Sequence, residues 1–132
     1  MKIYLAGPMR GYDQFNFPAF HEAAEKLRAD GHRVWSPAEH DEQGGFDPKS
    51  NSLEGFSLTD AMRWDLGCVL KADAVVVLPG WHASTGVGIE VSTARAIGTP
   101  VLDYPDLTPA LDESVTAEAD RIVSGARQSA YG

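Results

Sequence analysis

Apolar residues in this chain fall into short unbroken runs, and the stretches between them repeat every three or four positions. "KIYLA" at residues 2–6 is apolar and β-rich and halts at Gly7 and Pro8, the pattern of a buried strand that ends in a turn. From Phe17 to Ala29, the residues Phe20, Ala23, Ala24 and Leu27 recur at helical spacing, with Pro18 suited to the first turn and "DGH" closing the helix. "HRVWSP" predicts a second strand. Residues 37–57 are polar, Gly-rich and irregular, so they read as a long insertion, either a mobile flap over a ligand or an oligomer contact. "SLTDAMRWDLGCVLKAD" predicts a helix capped by Ser57 or Thr59, and "AVVVLPG" after it is the plainest buried strand of the chain. Residues 86–97 form the next helix, ended by Gly98, and "TPVLDYP" is a fourth strand. The segment from Thr108 to Ala126 reads as a last amphipathic helix with Leu111, Val115, Ala119, Ile122 and Val123 inward.

Strands that alternate with helices at this spacing are parallel and joined by right-handed crossovers. The expected fold is therefore a small doubly wound α/β domain, flavodoxin- or Rossmann-like, with a parallel sheet of four to five strands flanked by helices. A chain of 132 residues is long enough for one such core and too short for two, so residues 1–132 read as a single domain. In these sheets ligands bind outside the carboxyl ends of the strands, where the winding reverses. Those ends carry "AGPMRG" after strand one and "PGWHASTGVG" after strand three, both Gly-rich and expected to face one crevice.

Composition narrows the partners. Lys and Arg number 11 against 19 Asp and Glu, and a net charge of −8 leaves no basic footprint for a nucleic-acid polymer. A small anion can still bind at a helix N-terminus. Cys68 is the lone cysteine, which excludes an internal disulfide and a Cys-based metal cluster and fits a reducing cytoplasm. The first apolar run is too short for a signal peptide, and no segment approaches a membrane span, so a soluble cytoplasmic protein is expected.

Two acids break the pattern. On a wheel of about 100° per residue, Leu58, Ala61, Met62, Val69 and Ala72 mark a buried stripe, and Asp65 falls in its middle. Glu90 lies among Val87, Val91, Ala94 and Ile97, with no cation at i±3 or i±4. A carboxylate so placed loses hydration and becomes a candidate proton donor or nucleophile, unless an arginine from elsewhere pairs with it or, for Glu90, it merely caps its own helix. Two inward acids at one crevice suit the chemistry of glycosidic bonds. Asp65, in the more apolar setting, is expected to be the acid or a positioning group, and Glu90, near helix-terminal amides, the ionised nucleophile. Ser84, Gly86 and Gly88 precede Glu90 as a hydroxyl and amide cluster fit for a phosphate or a sugar, and Arg10 can supply positive charge. Gly7 forms the turn after strand one. Trp81 and His82 sit in the crevice loop, where Trp81 can stack on a base or cover the core. Tyr4 is placed to reach a ligand, or else belongs to the core. The four histidines lack metal-ligand spacing, and no metal or other cofactor is expected.

"IYLAGPMRG", "DLGCVLKADAVVVL" and "STGVGIE", occurring in that order, resemble the nucleoside 2-deoxyribosyltransferase superfamily, including its 2'-deoxynucleoside 5'-monophosphate N-hydrolases, over roughly residues 1–104. The resemblance implies an enzyme that cleaves or transfers at the N-glycosidic bond of a small-molecule nucleoside or nucleotide, without a cofactor. It implies Glu90 as nucleophile, Asp65 as the group that assists the departing base, and Tyr4 as the residue that orients the nucleophile. It also implies that Ser84 and Arg10 hold a 5'-phosphate, although Pro8 stands where the hydrolases often carry a serine. A site completed by a neighbouring subunit is common in that superfamily, so a homodimer or higher homo-oligomer is expected. Competing readings are a ribonucleotide phosphoribohydrolase, whose "PGGxGTxxE" spacing this chain does not meet, and a non-catalytic nucleotide-binding or sensing module.

Overall fold

A computed structural model describes residues 1–50 and 52–111 of the protein. In chain order the elements are β1 (Lys2–Ala6), α1 (Phe17–Ala29), β2 (Arg33–Trp35), α2 (Pro37–Gln43), α3 (Leu58–Lys71), β3 (Ala74–Val77), α4 (Thr85–Ala96), β4 (Val101–Asp103) and β5 (Thr108–Pro109). They build one five-stranded sheet in the order β2-β1-β3-β4-β5. β1 to β4 are parallel, and β5 joins β4 antiparallel through Leu102 and Asp103. The winding reverses between β1 and β3, the strands whose loops the sequence placed at one crevice.

The period of two in β1 divides the core. Ile3 and Leu5 face one side, with Phe17, Phe20, Ala23, Ala24 and Leu27 of α1. Tyr4 and Ala6 face the other, with Cys68 and Val69 of α3 and Val87, Val91 and Ala94 of α4. Both strands at the reversal are therefore covered on both faces, which is why they read as unbroken apolar runs. The entry to α1 is strained, because Gln14, Phe15 and Asn16 all have positive φ (51°, 52° and 64°). Left-handed conformation costs about 1–2 kcal/mol per residue. Burial of Phe17, Phe20 and Leu27, at about 1.5–3 kcal/mol each, offsets it. Asn16 Nδ2 also donates to the Pro8 carbonyl at 3.0 Å, tying this turn to the loop after β1.

Several expectations change. Residues 37–57 are not wholly irregular, since α2 and a 3-10 turn at Pro48–Ser50 lie within them. Pro37 and Ala38 are buried, so α2 packs like any short amphipathic helix; the polar residues on its other face hid it. The last helix does not begin at Thr108, because Thr108 and Pro109 pair with β4 and Leu111 is exposed; the remainder of that expected helix lies outside the described residues. Leu58 and Ile97, expected inward, are 55% and 52% exposed, each at a helix end where the stripe runs past the sheet. Ser57, not Thr59, caps α3, its Oγ accepting from the Asp60 amide at 3.1 Å.

Gly7 is required by close approach. A Cβ there would lie 2.9 Å from the Leu78 side chain, where the ends of β1 and β3 are held together by the Leu78 amide donating to Ala6. A Gly7→Ala variant is expected to lose about 1–3 kcal/mol in urea unfolding. Gly86→Ala, whose Cβ meets nothing within 4 Å in the first turn of α4, is expected to be neutral or slightly stabilising.

Candidate active site

Tyr4 is fully buried at the middle of β1, and its hydroxyl donates to Glu90 Oε2 at 3.1 Å. The bond joins the central strand to α4 across 86 residues of sequence. Glu90 itself is only 4% exposed. Helix α4 is started by Ser84, whose Oγ accepts from the Val87 amide at 3.2 Å, and Glu90 follows just over one turn later on the face turned to the sheet. Asp65, from α3, lies beside both Glu90 and Tyr4 and perturbs the protonation of each. Trp64 precedes it in an edge contact with the Tyr4 ring at 6.5 Å, and His40 of α2 stacks on Trp64 at 4.0 Å and 8°. This ladder of rings fixes α2 and α3 relative to β1.

These groups open into a cavity of about 610 Å³ at the carboxyl ends of the strands. Gly7 and Arg10 line it from the loop after β1, Ser84 and Gly86 from the start of α4, and Tyr4, Asp65 and Glu90 from its floor. The amides of Thr85 and Gly86 belong to the first turn of α4 and have no intrahelical acceptor, so they can receive a polar or anionic group. Arg10 is the one cation among the described residues that line the cavity. Trp81, His82 and Gly88 do not line it. Trp81 is 5% exposed within the core, stacked on His82 at 4.1 Å, and His82 Nε2 donates to the Leu111 carbonyl at 3.0 Å. Gly88 sits inside α4, one turn past the mouth. Sequence reasoning missed Asp41 of α2, which also lines the cavity. It stands three and four residues after Ala38 and Pro37, a helical signal available only once residues 37–43 are read as a helix.

Among the described residues no cation pairs with the acids on the floor. Burial first, and Asp65 second, raise the Glu90 carboxyl to about 9, against which the Tyr4 hydroxyl works in the opposite direction. Burial raises Asp65 to about 6. Burial and Asp65 raise Asp41 to about 7. The relative environments of the pair differ from expectation, since Glu90, not Asp65, is the deeper and more strongly desolvated acid. Glu90 and Asp65 thus titrate as a coupled pair, both raised by burial, and Tyr4, its own ionisation suppressed by burial and by Glu90, stays a donor to Glu90. Among the described residues, no group of three or more His, Cys, Asp and Glu side chains is arranged to hold a metal ion. No helix among them is long and apolar enough to cross a membrane.

The fold and this floor define an α/β domain with a cavity at the reversal point of its sheet, above a pair of buried acids. The chain belongs to the family described as "Domain of unknown function (DUF4406)", which it matches over residues 1–103. No curated protein matches it. Among solved structures it is similar to a 2-deoxyribosyltransferase from the psychrotolerant bacterium Bacillus psychrosaccharolyticus. The two share 25% sequence identity and a TM-score of 0.62, over 89% of this chain and 81% of that one.

The raised carboxyls set a pH dependence. The folded state retains protons that an unfolded chain has released, so stability falls as pH rises from about 4, where free carboxyls ionise, through the folded values up to about 9. Glu90→Gln keeps the acceptor for Tyr4 and removes the charge. It is expected to melt above the wild type at pH 8, by about 3–5 °C per kcal/mol of relief, and to flatten the decline between pH 5 and 9; an unchanged slope would contradict a raised Glu90 carboxyl.

Proposed function

We propose that this protein cleaves or transfers at the N-glycosidic bond of a deoxynucleoside or its 5'-monophosphate, with Glu90 as the nucleophile. The observation that carries the reading is the buried carboxyl of Glu90, held by the Tyr4 hydroxyl beside Asp65 and open to the cavity. The similar 2-deoxyribosyltransferase supports glycosyl transfer at nucleosides as the class of reaction. Burial favours the proton on Glu90 at rest; in the reactive arrangement it has passed to Asp65, and Glu90 is ionised and oriented by Tyr4. A Glu90 oxygen bonds to the anomeric carbon while the carbon–nitrogen bond breaks and its electron pair leaves with the base. Asp65 supports this departure by keeping the proton off Glu90. Water or a second base then displaces Glu90 from the anomeric carbon, and the proton lost by that water or incoming base balances the one taken up by the departing base, so the pair returns to its starting state.

The sugar end of the substrate is assigned to the start of α4. The Ser84 hydroxyl, the open amides of Thr85 and Gly86, and the Arg10 guanidinium suit a 5'-phosphate, the one charge that this acidic cavity is equipped to take. Pro8 adds no donor there.

Glu90→Ala is expected to abolish base release, measured by chromatography after incubation with a panel of deoxynucleosides and monophosphates, while leaving the circular dichroism spectrum intact. Full activity in that variant would refute the mechanism. Ser84→Ala and Arg10→Ala are expected to raise KM for monophosphates about 10-fold or more, the loss of a charge-assisted contact of about 1.5–3 kcal/mol, and to leave KM for nucleosides nearly unchanged.

A further inference from the structure

We propose that Asp41 is the proton donor to the departing base, and that the base is a purine protonated at N7. The proposal rests on the glycosidic reading above and adds to it the group that serves the leaving side.

Position is the first argument. In the sheet order β2-β1-β3, Tyr4 and the Glu90 it holds stand at the middle strand, the start of α4 follows β3, and α2 follows β2. A substrate whose sugar lies toward Ser84 and whose anomeric carbon meets Glu90 must send its base toward α2. There the cavity is walled by Phe15, Phe46, Phe56 and Met62, with Phe46 in edge contact with Phe15 at 5.4 Å and with Phe56 at 5.6 Å. A flat aromatic ligand suits such a wall. Asp41 is a carboxyl on this side. It lines the same cavity as Asp65 and Glu90, its backbone carbonyl accepts from the amide of Phe46 in the aromatic wall, and the Asp65 charge acts on it.

Protonation state is the second. Among the described residues no hydrogen bond or ion pair engages the Asp41 carboxyl. The nearby cations of α1 are occupied, His21 by Glu42 at 3.0 Å and Arg28 by Glu39 at 2.6 Å. His40, on α2 itself, is stacked on Trp64. Asp65 and Glu90 face the cavity from α3 and α4, Tyr4 from β1, and the loop after β1 contributes Tyr12 and the exposed Arg10. Half-buried and facing an acid, Asp41 keeps its proton to about pH 7, close to the value that serves a general acid best.

Chemistry is the third. When the bond from the anomeric carbon to N9 breaks, its electron pair flows into the purine ring, and N7 is the basic atom across the five-membered ring. A donor to N7 must therefore stand away from the nucleophile by about the width of that ring, on the side of the cavity that takes the base. In the step, Asp41 Oδ–H breaks and N7–H forms, the carbon–N9 bond breaks with its electrons retained by the base, and the bond from Glu90 to the anomeric carbon forms. Asp41 is left as a carboxylate and recovers its proton from water.

The test compares 2'-deoxyguanosine with 7-methyl-2'-deoxyguanosine, each as nucleoside and as 5'-monophosphate, in the wild type and in Asp41→Asn. The methylated base already carries its positive charge and leaves without a proton. Asp41→Asn is expected to lose about 10²–10³-fold in kcat on the ordinary substrate and to stay within about threefold of the wild type on the methylated one. The wild-type decline in rate above about pH 7 is expected on the ordinary substrate and lost in Asp41→Asn, with the methylated substrate compared at about pH 6, where its ring keeps the positive charge. Equal losses on both substrates, no loss on either, or cleavage of thymidine and 2'-deoxycytidine with purines untouched would overturn the role of Asp41 while leaving Glu90 as nucleophile. Failure of the wild type to release any base from the whole set would overturn the glycosidic reading and this role with it.

Discussion

The structure turns on a carboxyl that is buried, among the described residues, without a cation. Glu90 is desolvated under the crevice and accepts from the neutral hydroxyl of Tyr4. A lone ionised carboxylate in such a place costs several kcal/mol, and a protein meets that cost by keeping the group protonated or by surrounding it with rigid packing. Both devices are present. Burial and the Asp65 charge raise the Glu90 carboxyl so that it keeps its proton, and the packing comes from β1 and β3, buried on both faces between α1 on one side and α3 and α4 on the other. The close approach at Gly7 and Leu78 brings those two strand ends together beside the acids.

The surroundings of the floor are graded. Toward β3 the cavity offers helix-terminal amides, a hydroxyl and Arg10, all suited to negative charge. Toward β2 it offers an aromatic wall and Asp41, whose carboxyl burial and Asp65 raise to about 7. The Tyr4, Trp64 and His40 rings hold the second region against the first, because they link β1, α3 and α2 in a single stack. A ligand with an anionic end and a flat, weakly basic end matches this gradient, and a polyanion along the crevice does not.

Most of the fold could be read from the chain. "KIYLA" and "AVVVLPG" are strands buried on both faces, and α1 spans the residues that its apolar spacing predicted. Glu90 and Asp65 were visible because acids interrupt apolar stripes, and local pattern carries that signal. The short α2 was not visible, since seven residues hold only two turns and its buried face is carried by Pro37 and Ala38, neither a strong apolar mark. Asp41 was lost with it. Trp81 and His82 looked like ligand contacts because they occupy a crevice loop, yet a 3-10 turn at Trp81–Ala83 rotates the indole into the core.

Sequence alone thus determined the alternation of strands and helices, the parallel sheet that follows from it, and the presence of two acids that had to be inside. These depend on periodicity and short-range sterics, which the order of residues contains. Tertiary structure decided which acid is deeper, that Tyr4 bonds Glu90 across the sheet, and that a third carboxyl faces them. Desolvation and electrostatic coupling depend on distances between segments far apart in the chain, and those distances exist only once the sheet has closed its order around β1 and β3.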